Sequence, residues 1–290
     1  MNTVNQTVRT ESFSYRLRKF IGIAIPQIIL FIYMVIALFP ILMIVGNSFK
    51  SKKYIFGQPF MPPTPATFDL VGYQTVLQRS HFDIYFMNSL IVTITSLVLT
   101  LVIGAMAAFA LSEYEFKGNT ALALYLSLGI MIPIRLGTVG ILKLMVSLNL
   151  VNTLTGLILV YIAQSLPMTI FILSSFMRQV PKELKDAARI DGASEYRVFG
   201  MVLPLVRPAI GAIGIFTMIP IWNDLWFPLI LAPSQATATV TLGVQQFLGQ
   251  FVSDWNAVLS SLTLAMLPII VIYLIFSRQM IRSITAGALK

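Results

Sequence analysis

The chain has no cysteine and a single histidine, His81. Disulfides, thiolate metal sites and the usual zinc spacings are therefore excluded, and the redox compartment stays open. Charge is scarce too: 11% of residues are charged, where a soluble globular domain carries about 25%. No glycine-rich loop ends in Lys-Ser or Lys-Thr, so the chain has no cradle for nucleotide phosphates and cannot hydrolyse ATP itself. Paired acids and Ser/His arrangements are missing from the apolar stretches, which speaks against a membrane-embedded enzyme and leaves no candidate catalytic residue. There is no internal repeat, low-complexity tract or coiled-coil heptad.

What remains is apolar. Hydrophobic residues make up 57% of the 290, enough for about six spans with short loops. Windows of the length needed to cross a bilayer fall near 20–46, 85–111, 119–134, 154–177, 201–231 and 260–280. The fold class expected is all-α: a polytopic membrane protein of six transmembrane helices in one transmembrane domain, 1–290. The first window is too long, and too far from a small-residue cleavage site, for a removable signal peptide. A net charge of +9 would suggest nucleic acid in a soluble protein; here the positive-inside rule accounts for it, with lipid and not nucleic acid as the partner.

Orientation follows from Lys and Arg. The 1–19 tail, the 112–118 loop, the 178–200 segment and the 281–290 tail with its approach hold thirteen, against four in the opposite loops. Both termini and 178–200 are therefore expected in the cytoplasm, with Lys50, Lys52 and Lys53 dissenting. The outer loop 47–84 is rich in proline (Pro59, Pro62, Pro63, Pro65), which favours extended and turn conformations: either a connector or a partner-facing flap.

Two spans break the pattern. A continuous helix over 119–150 would bury Arg135 and Lys143 at roughly 2.5–3.5 kcal/mol each. A span ending near Pro133, followed by an amphipathic segment 136–149 along the outer interface, avoids that cost and puts Arg135 at an outer mouth. The fifth span carries Pro204, Pro208, Pro220 and Pro228, so kinks are expected there. At its middle lie Trp222, Asn223, Asp224 and Trp226. An acid between tryptophans at membrane depth is either a sugar-gripping site or part of an interfacial aromatic belt.

The densest charge lies in 181–204, which reads as two short helices joined by a turn. Pro181 suits a first helical position, and Glu183 meets the helix dipole. Leu184, Ala187 and Ala188 share a small apolar face suited to a shallow groove. Gly192 is the natural left-handed cap, and Ser194 is placed to N-cap the second helix.

This stretch resembles the cytoplasmic loop of inner-membrane permease subunits of ATP-binding-cassette importers. The family's Glu-Ala-Ala, Gly and Ile-x-Leu-Pro appear as Asp186-Ala187-Ala188, Gly192 and Met201-Val202-Leu203-Pro204. Met87-Asn88-Ser89, Leu148–Thr153, Gly156–Leu159, Ile190–Ala193, Trp222-Asn223 and Thr285–Lys290 extend the resemblance over most of the chain. They make it similar to the second permease subunit of maltose-type importers, in the carbohydrate branch and the inner membrane. The resemblance implies a coupling contact with a cytoplasmic ATPase through Glu183, Asp186, Ala187, Ala188, Gly192, Leu203 and Pro204. It implies a tail contact at Gly287 and Lys290, and a translocation path for which Trp222, Asn223, Asp224, Trp226 and Arg135 are candidates. Loop 232–258 would face a solute-binding protein through Gln245, Gln246, Gln250 and Asn256, or simply be solvated. The implied partners are a second homologous permease, an ATPase dimer that uses ATP and Mg, the binding protein and a carbohydrate; this chain would bind no cofactor of its own. Secondary transport remains the competing class.

Overall fold

The computed structural model describes residues 13–248 and 253–288. The described residues are helical, with only isolated bridges at Lys50–Phe68 and Leu248–Ser253. They form a small unit ending at Leu70 and a larger one starting at Val71.

The small unit is α1 (Phe13–Ser48), α2 (Lys52–Gly57) and a proline-rich turn. From Phe20 onward α1 exposes nearly every large apolar side chain, as a helix facing hydrocarbon would. Its end is pinned by polar contacts: Asn47 Nδ2 donates to the carbonyls of Met43 and Pro59, each at 2.9 Å. Lys50, read from the sequence as a dissenting surface charge, is buried and donates to Asn47 Oδ1 at 3.0 Å and to the Gln58 carbonyl at 2.9 Å. Burial lowers its pKa from the ordinary lysine value.

The larger unit contains α3 (Val71–Arg79), α4 (Phe82–Glu113), α5 (Asn119–Met131), a 3₁₀ turn (Ile134–Gly137) and α6 (Thr138–Ser147). Then follow α7 (Leu154–Met177), α8 (Lys182–Ile190), α9 (Glu195–Leu205), α10 (Arg207–Trp222), α11 (Trp226–Leu231), α12 (Val240–Gln245) and α13 (Trp255–Ala288). α4 and α7 pack along much of their length because small residues let their backbones approach. A Cβ on Gly104 would lie 2.5 Å from the Thr169 methyl group, and Ala105 and Ala108 are buried alongside.

Residues 20–48, α4 and α7 are each long and apolar enough to cross a membrane. Two further spans are broken. α5 meets the segment 134–147 at 87°, at the Pro133 break expected from the sequence. The residue before that proline, Ile132, is extended (φ −87°, ψ 115°), the conformation imposed by the proline ring. The expected fifth span needs correction. It is not one kinked helix: α9 turns by 75° into α10 at Val206, between Pro204 and Pro208, and α10 ends at Trp222. Pro208 has no N–H to extend the α9 ladder, so the chain restarts a helix there. α13 begins five residues before the expected 260, and its apolar part spans 255–271.

Candidate functional site

Two polar constellations stand out in the larger unit, at α8–α9 and around the breaks at Pro133 and Asn223.

At the first, α8 ends in a complete Schellman motif. The Ala193 N–H donates to the Ala188 carbonyl at 2.9 Å, the Gly192 N–H donates to Arg189 at 3.0 Å, and Gly192 has φ +80°. No atom lies within 4 Å of where a Gly192 Cβ would be, so only backbone conformation requires glycine there. Pro181 precedes the first helical residue instead of occupying it, and Ser194 sits at the α9 N-cap without a side-chain hydrogen bond.

The apolar face of α8 differs from the sequence reading. Leu184, Ala187 and Ile190 are exposed, Ile190 at 85%, and Tyr196 of α9 joins them at 82%. Ala188 turns inward and packs on the core. Helical geometry decides this, because Lys185 and Ala188 share a side and Lys185 is drawn inward by charge. Glu183 is exposed, while Leu203 is half-buried in the core and Pro204 lies beside the bend.

Lys185 is buried against Glu113, with side-chain exposures of 7% and 5%. Glu113 also accepts from Arg189 Nη2 at 2.7 Å. Arg189 reaches Asp186 at 2.9 Å and Glu195 at 2.8 Å, and Tyr114 donates to Glu195 at 2.8 Å. The end of α4 is thus tied to both α8 and α9. These contacts, Glu195 first and then Glu113, raise the Arg189 pKa further. Partial burial and the hydrogen bond to Glu195 push the Tyr114 hydroxyl up to about 12. A cavity of about 630 Å³ opens beside them, lined in part by Tyr114, Arg178, Lys182 and Lys185. Glu113 escaped the sequence reading because its partners are about 70 positions away.

The second constellation brings distant candidates together. Arg135 Nη2 stands 3.7 Å from Asp224 Oδ1, and its guanidinium lies 5.8 Å from the Trp226 ring. Asp224 also accepts from the Tyr161 hydroxyl at 2.9 Å and from the Trp226 and Phe227 N–H groups at 3.2 and 3.1 Å, thereby capping α11. Trp226 Nε1 donates to Thr138 Oγ1 at 3.0 Å. Beside this cluster is a cleft of about 690 Å³, whose lining includes Ile134, Arg135, Gln164, Pro167 and Met168. Tyr161, Thr138 and Gln164 were not singled out from the sequence; each is lost within a long apolar run.

Trp222 is not on this surface. It is 5% exposed, packs edge-on to Phe86 and donates from Nε1 to the Ala265 carbonyl at 3.1 Å. Asn223 is exposed and returns a hydrogen bond to Ile219 O at 2.9 Å. Asn149 and Asn152 both have positive φ (56° and 58°), and the first closes another Schellman motif at the end of α6.

In the 232–258 region, Gln245 and Gln246 are exposed, and Gln246 Oε1 accepts from Tyr85 at 2.9 Å. Asn256 belongs to the first turn of α13, not to a loop. It is buried, and its carbonyl backs directly onto Gly72. Gln250 and Lys290 lie outside the described residues, and Gly287 falls in the last turn of α13.

Comparison with known proteins gives a consistent answer. Residues 100–286 match the family model described as "Binding-protein-dependent transport system inner membrane component". The diacetylchitobiose uptake system permease protein NgcG of Streptomyces coelicolor is 32% identical over 92% of this chain and 89% of its own length. The trehalose/maltose transport system permease protein MalG of Thermococcus litoralis is 31% identical, over 88% of this chain and 92% of its own. Among solved structures, a chain of a bacterial ABC transporter involved in import of the acidic polysaccharide alginate superposes with a TM-score of 0.76. It is 20% identical and covers 92% of this chain and 98% of that one, so the overall helical fold is shared.

Proposed function

The chain belongs to the family of binding-protein-dependent transport system inner membrane components, a family of membrane permease subunits and not of enzymes, and from that premise we propose that it is one half of the translocation path of a carbohydrate importer. The observation that carries the reading is the exposed apolar row Leu184, Ala187, Ile190 and Tyr196, held at a fixed angle by Gly192. That row is shaped for a groove on a soluble partner, and the chain has no nucleotide-binding loop of its own. In this reading α8 seats in a cytoplasmic ATPase of a pair that uses ATP and Mg. Both termini face the cytoplasm with it.

A second, homologous permease completes the path, and a solute-binding protein delivers sugar from outside near Gln245 and Gln246. Closure of the ATPases draws the two α8 helices together and rocks the permease pair from inward- to outward-facing. Asp224, Arg135, Trp226 and Asn223 then meet the passing sugar. Trp226 offers an apolar ring face, while the charged and amide groups around it hydrogen-bond hydroxyls. That the relatives are named for disaccharides and arabinooligosaccharides supports a sugar, in preference to another solute, as the cargo.

The test is Gly192→Val in the reconstituted complex with its ATPase and binding protein. A β-branched residue at φ +80° is strained wherever it sits, so the α8–α9 angle must change. ATP-driven uptake should fall by about tenfold or more while hydrolysis continues, a typical size for lost coupling between sites. Unchanged uptake would overturn the coupling role, and uptake that persists without the ATPase would replace it with ion-coupled transport.

A further inference from the structure

α4 is held at both ends by polar contacts, each to a different segment. At one end Glu113 takes Lys185 on Oε2 and Arg189 on Oε1, and Tyr114 donates to Glu195. At the other end Asn88 donates to the carbonyls of Ala236 and Ala238 at 2.9 and 3.0 Å. Beside it, Ser89 Oγ accepts from the Val240 N–H and Tyr85 donates to Gln246, each at 2.9 Å.

Ser89 and Glu113 are separated by about 36 Å of helix at ~1.5 Å per residue. α4 contains no proline, whereas α1, α7, α10 and α13 each carry at least one inside the helix. Its interior has none of the usual causes of a sharp bend at proline, and its close packing on α7 stiffens it further. The clamps are buried: Glu113 and Lys185 at the island, Asn88 and Ser89 at the far end. Breaking such a contact leaves a charge or a donor unpaired out of water, so each clamp holds better than a surface pair would.

We propose that α4 is a transmission rod and Glu113 its positioning residue. Displacement of α8 and α9 is taken up by Glu113 and Tyr114, and delivered to segment 236–246 by Tyr85, Asn88 and Ser89. Linkage requires the converse too: a protein docking on 236–246 pushes back on the island and changes ATP hydrolysis by the partner. The inference rests on the coupling reading above and adds the route through the membrane.

The experiment uses the complete complex in liposomes and the transporter's own binding protein, purified with its bound sugar, as the probe. The readout is the fold-stimulation of ATP hydrolysis by that protein. Glu113→Gln and Asn88→Leu should each reduce the stimulation about tenfold, and the double variant should be no worse than the poorer single one, because both cut one route. Losses that multiply, or stimulation untouched by either change, overturn the rod. Glu113→Gln/Lys185→Met removes both halves of the buried pair and should recover the Tm without recovering stimulation. Recovery of stimulation as well would reduce Glu113 to a stabilising residue and overturn its positioning role. Glu113→Asp, which keeps the charge, should restore stimulation in part; a loss as deep as that of Glu113→Gln counts against the ion pair as the link. A parent complex without ATP-driven uptake removes the coupling reading itself, whereas a coupled parent with equally coupled variants removes only the rod.

Discussion

The α8–α9 island and the Arg135–Asp224 cluster are both polar sites in an apolar chain, and they are built in opposite ways. The outward face of the island comes from consecutive residues: its helix, cap and exposed row all lie within Lys182–Tyr196. The cluster draws on residues up to 91 positions apart, from the Pro133 break (Arg135), α6 (Thr138), α7 (Tyr161) and the α10–α11 break (Asp224, Trp226). An exposed face carried by one short stretch can be written into local sequence. A site built between helices has to be assembled by packing: Arg135, Asp224 and Trp226 stand out in their own stretches, but that they meet, and that Thr138 and Tyr161 join them, does not.

The comparison sharpens if the island's inward side is broken first. Lys185→Glu sets a carboxylate against buried Glu113 and should cost about 3–5 kcal/mol, seen as a large fall in Tm in detergent. Next, Asp224→Ala strips two backbone N–H groups and the Tyr161 hydroxyl of their acceptor. It should cost about 1–3 kcal/mol and also lower sugar uptake, measured in the same reconstituted complex. Gly192→Ala meets no neighbour, so its cost should stop at about 1–2 kcal/mol of left-handed strain, read from α8 protection in amide exchange. Leu184→Ala should change the stability of the isolated chain by no more than about 0.5 kcal/mol, yet weaken co-purification of the ATPase. That last pairing of results would separate a docking face from a folding face.

Much of the fold was legible. Three spans, the Pro133 break and the Gly192 cap follow from hydropathy, proline chemistry and the needs of a left-handed residue. The fifth span was misread because a run of apolar residues looks continuous even where two prolines, Pro204 and Pro208, allow a 75° turn between them. Asn256 read as a loop residue because the start signal one step upstream was passed over: Asp254 Oδ1 accepts from the Ala257 N–H at 3.1 Å and caps α13, which begins at Trp255. Trp222 and Trp226 are equivalent on paper; one is buried against Phe86 and the other lies beside Arg135 because α10 ends between them.

The sequence by itself determined the solvent of this protein, its helical character, the rough places of its long apolar helices, the charged 181–204 stretch and the absence of a nucleotide-phosphate loop. These depend on composition and on contacts within a few residues. Only the tertiary structure decided which charges are paired. That Glu113 anchors Lys185 and Arg189, that Asp224 answers Arg135, and that Asn88 reaches Ala236 and Ala238 all depend on helices meeting across long stretches of chain. Burying a charge or an amide is costly unless a partner is supplied, and in a bundle that partner usually comes from another helix, whose position no local pattern encodes.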